Sequence, residues 1–276
     1  MGRVMPFSLI LIVSTIQGLT EFLPVSSSGH LVLIHFITNH SYQGQTIDVA
    51  AHVGTLIAVL YYLRRDIVNI TIATFSQADN AKPKYHRHLG LMVVGATTPL
   101  ALVGFVVDYA DWHWLTVATT LAWANITFAV LLFAADRFGG QWRGLVDMRW
   151  SAAICIGLMQ VCALIPGASR SGVTITAARF FNYDRMTAAR FSLLLSLPAI
   201  AGAGLLKSIN IVNAGDAHLI YDAALVAALS AVFALLAIRM MMSWLAKASF
   251  TIFVVYRLGL GIILLLGLEL GLIATS

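Results

Sequence analysis

Two short stretches of the chain concentrate the side chains that could do chemistry. The first runs from Gln17 to His30 and combines a carboxylate, an imidazole and three consecutive hydroxyl groups. Gln17 and Glu21 are four residues apart and therefore share one face of a helix. Beyond the following proline, a helix can restart with Ser26 or Ser27 as its N-cap. Since helix N-termini attract phosphate, this stretch predicts an anion-binding loop between two helices.

The second stretch places one guanidinium among hydroxyl groups and glycines, in the order Pro166-Gly167-Ala168-Ser169-Arg170-Ser171-Gly172-Val173-Thr174. A guanidinium grips two oxygens of a phosphate at once, and hydroxyls and loop amides donate further hydrogen bonds. The two stretches together supply a nucleophile, a base, an orienting carboxylate and a clamp, which suits phosphoryl transfer. The alternative is a structural ion cluster of Glu21, His30 and Arg170, but it leaves most of the hydroxyl groups unexplained.

The surroundings of these ionisable residues are strongly apolar. Of the 276 residues, 59% are apolar and 11% are charged, and the mean hydropathy is +0.87. Soluble domains are typically about 45–50% apolar and about 25% charged, so the composition indicates an integral membrane protein. The apolar runs are continuous rather than alternating, which predicts helices and excludes a membrane β-barrel. Ionisable residues within such a protein indicate function by default.

The charge distribution predicts an orientation in the membrane. The net charge is +5, and Lys and Arg cluster in short connections. Because cytoplasmic loops carry the excess of Lys and Arg, the connections 64–88, 136–149 and 244–250 are predicted to face the cytoplasm, and 108–113 and 207–220 the outside. The positive charge is thereby explained without nucleic acid, which we do not expect as a partner.

Six apolar segments are long enough to cross a bilayer core, which takes about 20 residues. They cover approximately 47–63, 88–107, 114–135, 186–206, 221–243 and 251–273. Two further apolar segments, 6–38 and 150–182, contain the reactive stretches and are interrupted there by proline, glycine and serine. Irregular backbone at membrane depth is tolerated only inside protein or along a wet cavity, so both segments are predicted to be re-entrant.

An internal repeat relates the two broken segments. A shift of 143 positions places Gln17 on Gln160, Ser26 on Ser169, Ser28 on Ser171 and Gly29 on Gly172. Three spans follow each broken segment, and because three is odd, the second half must be inverted. We therefore predict an all-α membrane domain of two inverted repeats, 1–143 and 144–276, with six spans and two re-entrant helix pairs that meet near the midplane.

The motifs resemble those of the undecaprenyl-diphosphate phosphatases of the bacitracin-resistance type. The first family motif, Glu or Gln followed four residues later by Glu, is similar to Gln17 to Glu21, and the second is similar to Pro166 to Thr174. The resemblance covers nearly the whole chain. It implies hydrolysis of undecaprenyl diphosphate to the monophosphate, which recycles the carrier lipid for cell-wall synthesis and confers bacitracin resistance. It also implies an active site open to the outer face of the bacterial cytoplasmic membrane, and a divalent cation, Mg²⁺ or Ca²⁺.

We assign catalytic and substrate-binding roles to the residues of the two motifs as hypotheses. Ser27 attacks the terminal phosphorus with His30 as its base, or His30 activates a water directly. Glu21 orients His30 or binds the cation, and Arg170 holds the phosphate oxygens. The remaining predicted substrate-binding residues are Gln17, Ser26, Ser28, Gly29, Ser169, Ser171, Gly172 and Thr174. The predicted partners are the polyprenyl diphosphate and membrane lipids, and a homodimer is compatible with the sequence.

Many members of the family have Glu where this chain has Gln17. A site with two carboxylates on that helix is therefore absent, and a metal must be held by Glu21, neutral oxygens and the diphosphate itself. Asp48 and His52 form another pair four residues apart, suited equally to an interfacial or a supporting role. The main alternative function is a lipid-phosphate flippase or an anion transporter, since inverted repeats with broken helices are typical of secondary transporters.

Overall fold

The computed structural model describes residues 5–27, 29–30, 45–75, 81–110, 118–213 and 217–272. In this part of the chain the regular elements are helical, and the single β-bridge joins Arg143 to Tyr183. The helices are α1 (Phe7–Thr20), α2 (Gln45–Tyr62), α3 (Arg64–Phe75), α4 (Ala81–Ala110), α5 (Ala118–Phe138), α6 (Trp150–Gln160), α7 (Arg170–Phe180), α8 (Arg185–Asn213), α9 (Ala217–Leu245) and α10 (Thr251–Glu269). The prediction of an all-α protein is confirmed for the described residues.

Four of the described helices are long and apolar enough to cross a membrane. They contain Pro83–Val107, Ala118–Phe138, His218–Leu245 and Thr251–Glu269. A fifth span results if α2 and α3, which meet at an angle of 75°, are counted as one bent unit. Helix α8 covers the predicted span 186–206 but is not among these helices in the described part of the chain. The chain is thus a multi-pass membrane protein, and its described residues contain four or five apolar spans.

The first helix of each broken segment is too short to cross the bilayer. Helix α1 has 14 residues and α6 has 11, which correspond to about 21 and 16 Å of axial rise, whereas the hydrocarbon core is about 30 Å thick. A turn follows α1 at residues 21–25, and a 3₁₀ turn, Val161–Leu164, follows α6. We name residues 21–30 the first tip and residues 164–174 the second tip. Both tips lie where an apolar helix stops partway through the predicted membrane.

The helices pack so that each short helix lies against a long one. Helix α1 packs on α9, and α6 packs on α4. Helix α2 lies between α9 and α8, while α10 packs on α5. Glycines allow the closest approaches between helices. A Cβ at Gly54 would lie 2.1 Å from the carbonyl oxygen of Ala227, and a Cβ at Gly157 would lie 2.1 Å from the carbonyl oxygen of Ala96. Membrane helices commonly use glycine in this way because it lets two backbones approach.

A buried ion cluster fixes the ends of α5, α7 and α8. The guanidinium of Arg179 is fully buried and donates to Asp136 at 3.0 Å, and Arg185 donates to the same carboxylate at 2.8 Å. Asp136 also accepts from the backbone N–H of Phe250 at 3.1 Å, which connects the start of α10. This carboxylate holds four segments together at the end of the bundle that the sequence assigns to the cytoplasm.

The region between α2 and α4 differs from the sequence prediction. The connection predicted at 64–88 contains the helix α3, and α4 begins at Ala81. Asp66 at the start of α3 forms an ion pair with Arg190 of α8, and the apolar side chains of Ile67 and Ile70 pack against the core. Charged residues made this segment resemble a plain loop, but its amphipathic pattern suffices for an interfacial helix.

Candidate active site

The two tips share an uncommon backbone conformation. Ser26 has φ of 68° and Ser169 has φ of 67°, in the left-handed region. Each serine directly precedes helical residues, and the Oγ of Ser169 caps α7 by accepting from the N–H of Gly172 at 3.2 Å. Such a conformation costs about 1–3 kcal/mol in a non-glycine residue and clusters at functional sites. The two positions are the ones that the 143-residue shift pairs.

Glu21 is the centre of the first tip. Its Oε2 accepts from Nε2 of Gln17 at 2.7 Å, which confirms the shared helix face, and its Oε1 accepts from Nη2 of Arg170 at 3.1 Å. Nε2 of His52 lies 3.7 Å from Oε2. The carboxylate therefore joins α1, α2 and the second tip. His52 reaches this centre while its Nδ1 bonds the backbone oxygen of Asp48 at 2.8 Å.

Two atoms beside this carboxylate have unused hydrogen-bonding capacity. Within the described part of the chain, Nη1 of Arg170 and Oε1 of Gln17 are buried and have no hydrogen-bond partner. One is a donor on a cation and the other is an acceptor on a neutral amide. An unsatisfied buried polar group costs about 1–3 kcal/mol, so native proteins rarely leave one without a ligand or water. The pair therefore marks a place where phosphate oxygens could accept and a cation could bind.

The hydroxyl groups of the second tip hold the loops together. Ser171 donates to the backbone oxygen of Leu23 at 2.9 Å and so connects the two tips. Thr174 donates to the backbone oxygen of Arg170 at 2.9 Å and lies 2.7 Å from Oγ of Ser192. Ser169 and Ser171 lie 3.1 Å apart, Oγ to Oγ. In this arrangement the predicted substrate-binding hydroxyls of Ser171 and Thr174 contact protein oxygens, and they position Arg170.

His30 lies against Tyr256 of α10 rather than against Glu21. Its Nδ1 is 2.7 Å from the backbone oxygen of Ser26, and its Nε2 is 2.5 Å from the hydroxyl of Tyr256. The two rings are stacked, with centroids 5.5 Å apart. In the described part of the chain, no ion pair joins His30 to Glu21. The carboxylate therefore does not orient the imidazole in this structure, and the backbone of Ser26 does so instead.

The remaining predicted residues of the first tip are Ser27, Ser28 and Gly29. Ser27 is half-buried and opens the helical segment after Ser26. Gly29 is buried, and a Cβ there would lie 3.3 Å from Cδ2 of Leu260. Ser28 lies outside the described residues. Ser27 thus lies one residue after the strained Ser26 and three residues before His30 in the chain.

Arg257 is a functional candidate that the sequence analysis missed. It is fully buried in α10, donates to the backbone oxygens of Gly167 and Ala168 at 2.9 and 3.0 Å, and donates to Oδ1 of Asn125 at 2.9 Å. Its Nη1 has no partner in the described part of the chain. A guanidinium inside an otherwise apolar segment was the signal that could have identified it. Arg257 holds the proline-glycine turn that precedes Arg170.

The residues present fit a hard cation only with help from the substrate. No group of three or more His, Cys, Asp or Glu side chains suited to a metal occurs among the described residues. The carboxylate of Glu21 and the free Oε1 of Gln17 are oxygen ligands on adjacent turns of one helix. Mg²⁺ commonly binds through one or two protein oxygens together with phosphates and water. The donor set therefore fits a cation that arrives with a diphosphate.

Comparisons with known proteins identify the family. Residues 10–263 match the family described as bacitracin resistance protein BacA. The chain is 43% identical over 261 residues to the undecaprenyl-diphosphatase of Ruegeria pomeroyi, which covers 93% of this chain and 96% of that protein. It is also 43% identical over 258 residues to the undecaprenyl-diphosphatase of Alcanivorax borkumensis, with coverage of 92% and 96%. The chain belongs to the BacA family.

Proposed function

We propose that this protein hydrolyses undecaprenyl diphosphate to undecaprenyl phosphate and inorganic phosphate. The relatives that carry this enzyme name match nearly the whole chain. The observation that carries the proposal is the contact between the tips, where Arg170 meets Glu21 at 3.1 Å and keeps a buried Nη1 that has no hydrogen-bond partner among the described residues. A flippase or anion transporter, the alternative from the sequence, is not favoured by these relatives.

Arg170 would bind the terminal phosphate. Glu21 occupies Nη2, so Nη1 is free to donate to a phosphate oxygen, and the ion pair keeps the guanidinium fork in a fixed orientation. A preorganised donor at the place where negative charge develops is among the largest contributions to catalysis. The hydrogen bond from Ser171 to Leu23 keeps the second tip in register with the first during this binding.

The nucleophile would come from the first tip. If Ser27 attacks the terminal phosphorus, the bond from that phosphorus to the bridging oxygen breaks, the lipid monophosphate leaves, and a water then hydrolyses the phosphoserine to release inorganic phosphate. If a water attacks directly, the same bond breaks and both products form in one step. His30 would accept the proton of the nucleophile through Nε2. For this, the hydrogen bond between Nε2 and the hydroxyl of Tyr256 must break when substrate binds, a common rearrangement between free and substrate-bound enzymes.

A divalent cation, Mg²⁺ or Ca²⁺, would be held by Glu21, by Oε1 of Gln17 and by the diphosphate. When bound, it would neutralise phosphate charge. Gln17 is an appropriate partner because its Nε2 already donates to Glu21 at 2.7 Å, which leaves its oxygen available. The carboxylate of Glu21 would then serve both the cation and Arg170, one with each oxygen.

The proposed topology is that of two inverted repeats, 1–143 and 144–276, with six spans, in the cytoplasmic membrane and with the site open to the outer face. Two observations support it. Helices α1 and α6, which the 143-residue shift pairs, pack on α9 and α4, which the same shift pairs. The strained serines are also paired by that shift. In this arrangement the two tips approach from opposite membrane faces.

The test is phosphate release by the purified protein in detergent with undecaprenyl diphosphate, with and without EDTA and with Mg²⁺ or Ca²⁺ added back. We expect cation-dependent release of one phosphate per lipid. The variant Arg190→Lys is a matched control, because Arg190 is a half-exposed arginine that forms an ion pair with Asp66 away from the tips. No release under any cation condition would contradict the proposal and favour a transporter.

A further inference from the structure

An apolar chamber lies beside the first tip. It has a volume of about 680 Å³ and lies between α1, the first tip and the adjoining ends of α9 and α10. Its walls include Leu19, Leu23, Ala237, Met240, Met241 and Phe253. Its polar lining residues include Thr20, whose hydroxyl already donates to the backbone oxygen of Ile16, and the hydrogen-bonded pair of His30 and Tyr256. The volume falls within the range of small-molecule sites, about 300–1,000 Å³.

The chamber is closed on one side and open on the other. Ala237 and Met241 are each 2% exposed and form its floor, whereas Met240 is 61% and Ile252 is 53% exposed. Exposed apolar side chains of this kind are typical of the lipid-facing surface of a membrane protein, and on this open side an apolar chain could enter from the bilayer. Methionines in its wall are flexible and can adapt to an irregular apolar ligand.

The chamber and the candidate active site share one turn of backbone. Glu21 lies between Thr20 and Leu23, which both line the chamber, and the backbone oxygen of Leu23 accepts from Ser171. His30 belongs to the predicted catalytic set and also lines the chamber. A lipid whose diphosphate lies at Glu21 and Arg170 therefore has an apolar channel within one turn of its head group.

We infer that the chamber binds the first isoprene units of the substrate's polyprenyl chain. This rests on the proposed function, since it extends the same site from the diphosphate to the lipid tail. Ordinary acyl chains of the membrane would also fit an apolar cavity. The polyprenyl chain is favoured because a lipid with a diphosphate head would connect the chamber to Nη1 of Arg170 and Oε1 of Gln17, which have no hydrogen-bond partner among the described residues. The chamber would therefore set the preference for chain length.

The test compares the ratio of kcat/KM for geranylgeranyl diphosphate to that for dimethylallyl diphosphate. Met240→Trp and Ala237→Leu reduce the chamber, and we expect the ratio to fall about tenfold, since filling an apolar pocket by even one methylene is typically worth about that much. Val232→Trp is the matched control, because Val232 is on the same helix, 64% exposed and outside the chamber. The ratio of the two kcat/KM values in Val232→Trp should equal that of the unaltered protein.

A binding measurement covers the case in which a variant folds poorly. In a background with Cys155 and Cys162 replaced by serine, Met240→Cys should be protected from maleimide by geranylgeranyl diphosphate but not by inorganic diphosphate, and Val232→Cys should be protected by neither. Equal protection at both positions, or equal ratios in all variants, would overturn the inference. If the unaltered protein releases phosphate from no diphosphate, the proposed function fails instead, which is a separate outcome.

Discussion

The first and second tips have similar backbones and different side chains. In each, an apolar helix stops, and a serine in the left-handed region precedes a second helical segment, Ser26 with φ of 68° and Ser169 with φ of 67°. Under the 143-residue shift, the positions of Glu21, Ser27 and His30 correspond to Leu164, Arg170 and Val173. The carboxylate, the predicted nucleophile and the imidazole thus lie on one tip, and the guanidinium lies on the other.

This difference shows how two tips of similar backbone form an asymmetric site. Two equal tips would bring like groups together, and two carboxylates or two guanidinium groups at 3 Å would repel. Here the positions related by the 143-residue shift carry different side chains, and Glu21 meets Arg170 at 3.1 Å. The shared backbone supplies the geometry and the divergent side chains supply the chemistry, so the tips should respond differently to matched substitutions.

The largest effect is expected at the guanidinium of the second tip. Arg170→Lys keeps the charge but cannot bind Glu21 and a phosphate oxygen with one planar fork. We expect Arg170→Lys and Arg170→Ala to lower kcat at least about a hundredfold, the usual cost of losing one charge-stabilising donor. Phosphate release measures this, and Arg190→Lys should stay within about twofold because it keeps the positive charge beside Asp66 and changes no residue of either tip. If kcat of Arg170→Lys stays within threefold of the normal value, Arg170 does not need its planar fork to hold Glu21 and a phosphate oxygen together.

The next effect concerns the carboxylate of the first tip. Glu21→Gln removes the partner of Arg170 and the charged ligand of the cation, so activity should fall about a hundredfold, far more than in Gln17→Ala. Gln17→Glu should stay active and reach half-maximal rate at a lower Mg²⁺ concentration. Titration of phosphate release with Mg²⁺ separates these outcomes. If Gln17 is indispensable and Glu21 is not, the cation role is assigned to the wrong residue.

The imidazole of the first tip should control the pH profile. As a general base, His30 acts only when neutral, so kcat/KM should fall on the acid side of its titration, and His30→Ala should flatten that limb. Tyr256→Phe removes the hydroxyl from Nε2 but leaves the stacked ring, so the acid limb should persist. An acid limb that is unchanged in His30→Ala would exclude His30 as the base.

Paired glycines give a smaller effect that contrasts the tips directly. A Cβ at Gly172 would lie 2.6 Å from Nη1 of the buried Arg257, whereas a Cβ at Gly29 would meet the flexible end of Leu260 at 3.3 Å. We expect Gly172→Ala to destabilise the protein by about 1–3 kcal/mol and to lower activity, since overpacking in a rigid core is costly. Gly29→Ala should cost less. Thermal unfolding in detergent compares the stabilities of the two variants. A greater loss of stability in Gly29→Ala than in Gly172→Ala would contradict the tight packing of Arg257 against Gly172.

The smallest effect on activity is expected from single-cysteine variants, which test the membrane orientation of the helices that carry the tips. If they enter from opposite membrane faces, Thr74→Cys and Tyr109→Cys should react with an impermeant thiol reagent from opposite sides. Both side chains are exposed, and the background would carry serine in place of Cys155 and Cys162. Both variants should remain active. Labelling from the same side would disprove the inverted arrangement.

Composition and local pattern were sufficient for several conclusions. Apolar runs of bilayer length predict helices in any context, because a lipid-exposed backbone must satisfy its own hydrogen bonds. The four-residue spacing of Gln17 and Glu21 predicted a contact that the structure shows at 2.7 Å, since such residues are neighbours on any helix. The two motifs were also long enough to identify the family, which the comparisons confirm.

Contacts between distant segments were decided only by the tertiary structure. The sequence placed His30 with Glu21 in one polar cluster, but the packing of α10 against the first tip brings Tyr256 to the imidazole instead. The sequence analysis gave Arg257 no role, whereas the fold buries this guanidinium against the second tip. The physical reason is that helical periodicity determines which residues share a face, while the neighbour of that face depends on how all the helices pack.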